Sequence, residues 1–229
     1  MNCRLNALIA VSMLCAYDAA AAGAPAQYSF DSPDTWLASA EELPSWQATL
    51  QRHQAQLPQI YDCQTHDTCR GRVRSYLRLL SAGDDLSDVE KIELVHRYIN
   101  RSEYEEDRPR RKYNAAGERS GWQRSHWATL YEFLRGGGDC EDYAAAKYFM
   151  LRQIGFDAHD MRVVVTYNKK LHGTHAVLAV RRPDGAVWLL DSDNRIRKTH
   201  HRDFRFIYAI NEHGVWDHDT ARKRATQRP

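Results

Sequence analysis

The hydrophobic pattern changes period near Gly155, and that change constrains the fold more than any other feature of the chain. Before it, apolar residues recur at helical spacing. Val73, Tyr76, Leu77 and Leu80 share one face over 67–81, and a further helix is expected over 45–56. Ser87 followed by Glu90 is a capping box, after which Val89, Ile92, Val95 and Ile99 mark another helix face. Beyond Gly155, four runs rich in Val, Leu, Ile and aromatic residues read as strands: Met161 to Tyr167, His175 to Arg181, Ala186 to Asp191 and Phe204 to Ile210. Pro183-Asp184-Gly185 joins the second and third of these as a hairpin. Helices followed by a run of strands specify an α+β domain, with a helical N-terminal half packed on an antiparallel sheet.

Between the two halves, Arg101 to Ser120 is charged and aperiodic, so it reads as a long surface loop. Trp127 to Leu134 reads as a short helix stopped by Gly136-Gly137-Gly138. The next helix is expected from about Cys140 to Ile154, with Gly155 as its C-cap.

The N-terminus points to export. Arg4 gives a short positive region, Leu5 to Cys15 is mostly apolar, and Ala20-Ala21-Ala22 and Ala22-Gly23-Ala24 offer small-x-small cleavage sites. Residues 1–26 therefore read as a signal peptide cut at about 22–26, and 27–229 as one domain ending in a polar, basic tail. The apolar run is too short to span a bilayer and no later run is longer, so no membrane insertion is expected after signal removal. A net charge of +2 implies no particular partner. The basic runs Arg108-Pro109-Arg110-Arg111-Lys112 and Arg222-Lys223-Arg224 read as solvated loop and tail, not as a nucleic-acid surface.

Cys3 and Cys15 leave with the signal, and in an oxidising compartment Cys63 and Cys69 could close a small loop. That leaves Cys140 as the odd thiol. Burial as a small apolar residue would account for it, and so would nucleophilic catalysis. Its placement favours the second. Gly136-Gly137-Gly138-Asp139-Cys140-Glu141-Asp142-Tyr143-Ala144 sets the thiol between a glycine run and a first helical turn. There, unsatisfied N–H groups and the positive end of the helix dipole favour thiolate.

A cysteine nucleophile needs a base, and the base needs an orienting group. If 182 pairs with 186 across the Pro-Asp-Gly loop, His175 lies opposite Asp193 and Asp191 is its diagonal neighbour on the same face. Such diagonals lie roughly 7–8 Å apart, within reach of an imidazole and a carboxylate. A one-residue slip would put the two on opposite faces. Each residue alone has a plain structural explanation, whereas Cys140, His175 and Asp191 together point to a catalytic triad. A zinc site drawn from Cys140, His172 and His175 has no HExxH or paired CxxC behind it.

Asp139, Glu141 and Asp142 flank the thiol. An N-cap at Asp139 and two acids complementing the dipole would explain them structurally. Yet three carboxylates beside a thiolate raise its pKa and oppose the activation that the helix end supplies. A divalent cation would cancel that charge, and a hard, oxygen-rich cluster suits Ca2+, so all three are candidate metal ligands. Asp191-Ser192-Asp193-Asn194 only begins like an EF-hand loop, since Ile196 stands where the sixth-position glycine belongs. The backbone N–H of Cys140 is the natural first oxyanion donor, and the segment with Trp122 and Trp127 is the expected source of a second.

Trp127-Ala128-Thr129, the run from Glu132 to Ala144, and Ala146-Lys147-Tyr148 resemble the bacterial transglutaminase-like cysteine proteinases of the LapG type. His175-Ala176-Val177-Leu178 and Leu190-Asp191 are similar to that family's histidine and aspartate blocks, and Phe206 to Asn211 with Gly214-Val215-Trp216 to its C-terminal strand. The resemblance covers about residues 90 to 216. It implies a papain-like fold and a periplasmic endopeptidase with Cys140 as nucleophile, His175 as base and Asp191 as orienter. It further implies calcium bound by Asp139, Glu141 and Asp142. The implied substrate is the N-terminal region of a large repeat-containing adhesin, whose release promotes biofilm dispersal. The implied regulator is a LapD-like inner-membrane receptor for cyclic di-GMP. Leu130 and Asp191-Ser192-Asp193 depart from the family pattern, and His159 or Asp160 falls near where a further calcium ligand would be expected. Two rival functions use the same residues differently. A transglutaminase-type acyltransferase would join an amine to glutamine, and a non-catalytic binding module would not need Cys140 at all.

Overall fold

A computed structural model describes residues 28–30, 35–38, 44–65, 71–82, 85–107, 110–113, 119–123, 126–199 and 202–218. The expected signal peptide, Cys69 with its expected loop to Cys63, and the basic tail lie outside these residues. The described helices are α1 (Pro44–Thr65), α2 (Gly71–Ala82), α3 (Asp88–Ile99), α4 (Leu130–Gly136) and α5 (Cys140–Gln153). The strands are β1 (Thr35–Ala38), β2 (Arg110–Tyr113), β3 (Arg119–Gln123), β4 (Met161–Asn168), β5 (Gly173–Arg181), β6 (Val187–Leu190), β7 (Ile196–Lys198), β8 (Phe204–Ile210) and β9 (Val215–Asp217). Seven of them form one antiparallel sheet in the order β1-β9-β8-β4-β5-β6-β7.

The α+β architecture is as the sequence predicts, and so is the hairpin. Arg182 N–H donates to the Ala186 carbonyl at 2.8 Å, and Gly185 takes a φ of +80° that its missing side chain permits. The ladder then runs Arg181 with Val187 down to Leu178 with Leu190, the expected register. It stops there, so His175 and Asp193 never pair, and residues 173–177 of β5 have no β6 neighbour. Elsewhere the sequence misleads. The aperiodic stretch from Arg101 is not only loop, because β2 and β3 pair within it as a separate antiparallel hairpin. A two-stranded ribbon satisfies its own backbone groups and needs no alternating apolar pattern to announce it. The edge strands β1 and β7 escape because each is four residues or fewer, too short for an alternating pattern to stand out.

Alternation along the central strands feeds two cores. Val163 of β4, Ala176, Leu178 and Val180 of β5, Leu190 and Ile210 face the helices. Val164, Val177, Ala179, Leu189, Phe204, Phe206 and Ala209 face the other way, onto Tyr28 and Phe30. Helix α5 is buried on nearly every side, from Tyr143 to Leu151. Ala144, Ala145 and Ala146 let it lie close between the sheet and the outer helices. Its start is set sharply. Helix α4 begins at the capping box of Thr129 and Glu132, a signal the sequence carries, and ends in the glycine run. Gly137 has a φ of +75°, and a Cβ there would overlap the Glu103 carbonyl. At Gly138 the missing side chain leaves room for the Asp142 carboxylate.

Candidate active site

Cys140 is the first residue of α5, and its thiol reaches the sheet where β6 has ended. The Ala176 backbone N–H lies near enough to the sulfur to favour its thiolate, so the helix end meets β5 one residue from His175. His175 Nε2 is 2.8 Å from Asp191 Oδ1, with the histidine side chain 11% exposed and the aspartate 3%. Both lie on the sheet face shared by Val177, Ala179 and Leu189, as the register requires. His175 and Asp191 are therefore joined directly, and Cys140 comes to the backbone of the residue after His175.

Asp191 is held at every polar atom it offers. Oδ1 also accepts the Ser192 N–H at 2.6 Å, and Oδ2 accepts Arg197 Nη1 at 2.7 Å. Its backbone carbonyl accepts Asn100 Nδ2 and Lys147 Nζ, each at 2.9 Å. Burial pushes the Asp191 carboxyl up, but the His175 hydrogen bond and charge, then Arg197 and the Ser192 N–H, bring it below the ordinary range. Lys147 is fully buried, and that burial pulls it down to about 7 against the charges of Asp191 and Asp193. Sequence reasoning missed Asn100, Lys147 and Arg197. Lys147 is the one with a signal, a lone cation on an otherwise apolar helix face.

The helix end is built oppositely. One ligand atom each from Asp139, Cys140 and Glu141 lie within 4.8 Å of one another, and the thiol donates to Glu141 Oε2 at 3.3 Å. Burial and then the Glu141 carboxylate push the thiol well above its usual range. Burial, a hydrogen bond to Glu141 and the charges of Glu141 and Asp142 raise Asp139 to about 8. Asp139 Oδ1 is buried without a hydrogen-bond partner, while Oδ2 accepts the Asp107 N–H at 3.3 Å. Asp142 sits apart from this cluster. Its Oδ1 accepts the Ala128 N–H at 2.6 Å and its Oδ2 the Asp139 N–H at 3.2 Å, which staples the helix start to the segment before α4. Burial, and then Glu141 and Asp107, raise it to about 7 despite those two donors.

A cleft of about 770 Å³ opens beside this end, walled by Glu105, Glu106, Asp107, Asp142 and the three glycines. Trp127 packs edge-on against Trp46 at 5.3 Å as a core group, and Trp122 has no described side chain. His172 joins no cluster of metal-ligating atoms among the described residues. His159 and Asp160 lie beyond the opposite end of α5, about 21 Å along a helix of this length. That removes them from the calcium shell the family likeness implied. His159 instead stacks on His213 at 4.1 Å.

Residues 62–220 match the family model described as bacterial transglutaminase-like cysteine proteinase BTLCP. The chain belongs to this family. It is a cysteine peptidase by that membership. The proteinase is also similar to solved structures of LapG from Legionella pneumophila. A calcium-bound form superposes with a TM-score of 0.56 at 24% identity, covering 72% of this chain and 98% of that one. A second LapG structure gives 0.55 at 25% identity, covering 73% and 92%. An EGTA-treated form gives 0.54 at 24%, covering 82% and 89%. No curated protein matches the chain. Among the described residues no helix is long and apolar enough to cross a membrane.

Proposed function

We propose that this proteinase is a calcium-dependent endopeptidase of the periplasm that cuts the N-terminal region of a large surface adhesin, releasing it and promoting biofilm dispersal. The carrying observation for the chemistry is the imidazole fixed through Nε2 to a buried carboxylate, one residue from the Ala176 N–H that lies near the thiol. With Nε2 taken, Nδ1 is the nitrogen free to accept the Cys140 proton. The thiolate then attacks a peptide carbonyl, a C–S bond forms, and the π pair moves onto oxygen beside the Cys140 backbone N–H. The His175 imidazolium protonates the departing amine, leaving an acyl-enzyme. In the second half His175 deprotonates water, whose attack expels Cys140 and frees the acid. Asp191 remains ionised throughout, fixing the ring and balancing its charge.

The acidic helix end fits calcium. Asp139 and Glu141 converge, Asp139 Oδ1 is buried and unpartnered, and the carboxylate donors are hard oxygens. Those two residues would hold the ion, with Asp142 fixing the backbone beneath them. When bound, calcium would supply positive charge to offset these carboxylates. With Glu141 so occupied, His175 is the remaining acceptor for the thiol proton. Calcium-bound and EGTA-treated forms of the Legionella protein support the same reading. Export, the adhesin substrate and regulation by a LapD-like cyclic di-GMP receptor rest on the signal-like N-terminus and the family likeness.

The test incubates the full mature protein with an adhesin N-terminal fragment, in calcium and in EGTA, with Cys140→Ala as control. Cleavage in calcium alone is expected. No cleavage, together with a Cys140 that resists alkylating probes, would refute the proteinase reading. Incorporation of an amine into a glutamine substrate without net hydrolysis would replace it with acyl transfer.

A further inference from the structure

The turn after Asp191 brings back a cation. Asp191 N–H closes onto the Arg195 carbonyl at 3.3 Å, with Asn194 in the left-handed region at φ +64°. Leu190 pairs with Ile196 and Leu189 with Arg197, so Arg197 is the diagonal neighbour of Asp191 on one face. Its guanidinium divides between two carboxylates. Nη1 lies 2.7 Å from Asp191 Oδ2 and 2.8 Å from Asp193 Oδ1, and Nη2 bonds Asp193 Oδ2. The arginine side chain is 14% exposed, whereas that of Asp193 is 44% exposed. Phe204, itself buried, lies 5.9 Å from the His175 ring and 5.8 Å from the Arg197 guanidinium carbon, between the two.

A carboxylate bonded to histidine through one oxygen can still swing about its terminal torsion, which is broad and two-fold. Holding the second oxygen removes that freedom. A full positive charge there has a cost, because it competes with the imidazolium for the same carboxylate. Asp193 answers it: two carboxylates share one guanidinium, so Asp191 keeps charge to offer His175. Lys147 bonds the Asp191 backbone carbonyl, and His96 lies within electrostatic reach of both.

We propose that Arg197 is a positioning residue that fixes the plane of Asp191, and hence the His175 ring, and that Asp193 is the counter-charge that keeps Arg197 from neutralising Asp191. This rests on the reading of Cys140, His175 and Asp191 as the catalytic triad. Arg197 touches no reacting atom and acts through Asp191 alone.

The experiment compares wild type with Arg197→Ala, Arg197→Lys and Asp193→Asn, all in saturating calcium. Three readouts are taken: kcat and KM on a cleavable peptide, the rate of Cys140 alkylation by iodoacetamide, and the NMR resonance of the His175 Nε2 proton. Arg197→Ala is expected to lower kcat about tenfold with KM within twofold, the scale of a small misplacement at a reacting centre. Alkylation should slow in parallel and the Nε2 proton should shift. Arg197→Lys should recover most of the loss, and Asp193→Asn should cost about threefold. Unchanged alkylation and an unmoved Nε2 resonance in Arg197→Ala would overturn the proposal. So would a loss that lysine does not rescue. If Arg197→Ala does not fold, Asp193→Asn still decides it, since it keeps a polar pair at the turn: an unmoved Nε2 resonance there refutes it. Alkylation and NMR need no substrate. If they respond while no peptide is cut, the positioning role stands and the endopeptidase reading falls.

Discussion

The two halves of the candidate site are opposites in charge balance. On the sheet side, Asp191 meets His175, Arg197, Asn100, Lys147 and a backbone N–H, and its carboxyl lies below the ordinary range. On the helix side, Asp139 and Glu141 crowd Cys140, and Asp139 rises to about 8. The same residue type is thus stabilised as an anion at one wall and held protonated at the other. The imidazole and its carboxylate are thus organised by the fold alone. The thiol is not, because its helix dipole is outweighed by adjacent negative charge.

The hardest way to break the comparison is to remove the thiol. Cys140→Ala should abolish peptide cleavage, a loss of about 10⁴-fold or more on the scale of triad deletions, while the circular dichroism spectrum stays native. Next comes the charge on the helix side. Glu141→Gln should raise iodoacetamide reactivity in EGTA by about tenfold for each pKa unit the thiol regains, and should abolish its response to calcium. Equal reactivity of wild type in calcium and EGTA would show that the acidic half needs no cation.

Gly138→Ala attacks the scaffold beneath that half. Its Cβ would strike the Asp142 carboxylate, so a stability loss of about 1–3 kcal/mol is expected in urea unfolding, of the size seen for overpacking. Alanine at Gly136, where nothing crowds a Cβ, should be near neutral. The mildest test is pH. In EGTA the folded Asp139 keeps its proton up to about 8, whereas unfolded it releases it near 3.8. The folded state therefore binds the extra proton across that window, and stability should fall as pH rises through it. Saturating calcium should flatten that fall, which thermal melts from pH 4 to pH 8 would measure.

Much of this was legible along the chain. Pro183-Asp184-Gly185 set the register that puts His175 and Asp191 on one face, and the step of two along a strand did the rest. The glycines before Cys140 read only as a helix stop. Their particular uses, a left-handed turn at Gly137 and room for Asp142 at Gly138, depend on Glu103 and Asp142 approaching from elsewhere. Grouping Asp139, Glu141 and Asp142 as equals was as far as sequence could go. The fold separates them, since Asp142 turns to the Ala128 and Asp139 N–H groups while the other two converge on the thiol.

Sequence by itself determined the order of the main helices and central strands, the hairpin register, and a cysteine on a helix end with a histidine and an aspartate on one sheet face. These follow from local rules of caps, turns and periodicity, which act over a few residues. Only the tertiary structure decided which lone pairs are already used. That Lys147 and Asn100 close on Asp191, and that Asp139 Oδ1 stays buried without a hydrogen-bond partner among the described residues, are set by distant segments packing together, and hydrogen bonding in a buried site is settled by what packs beside it.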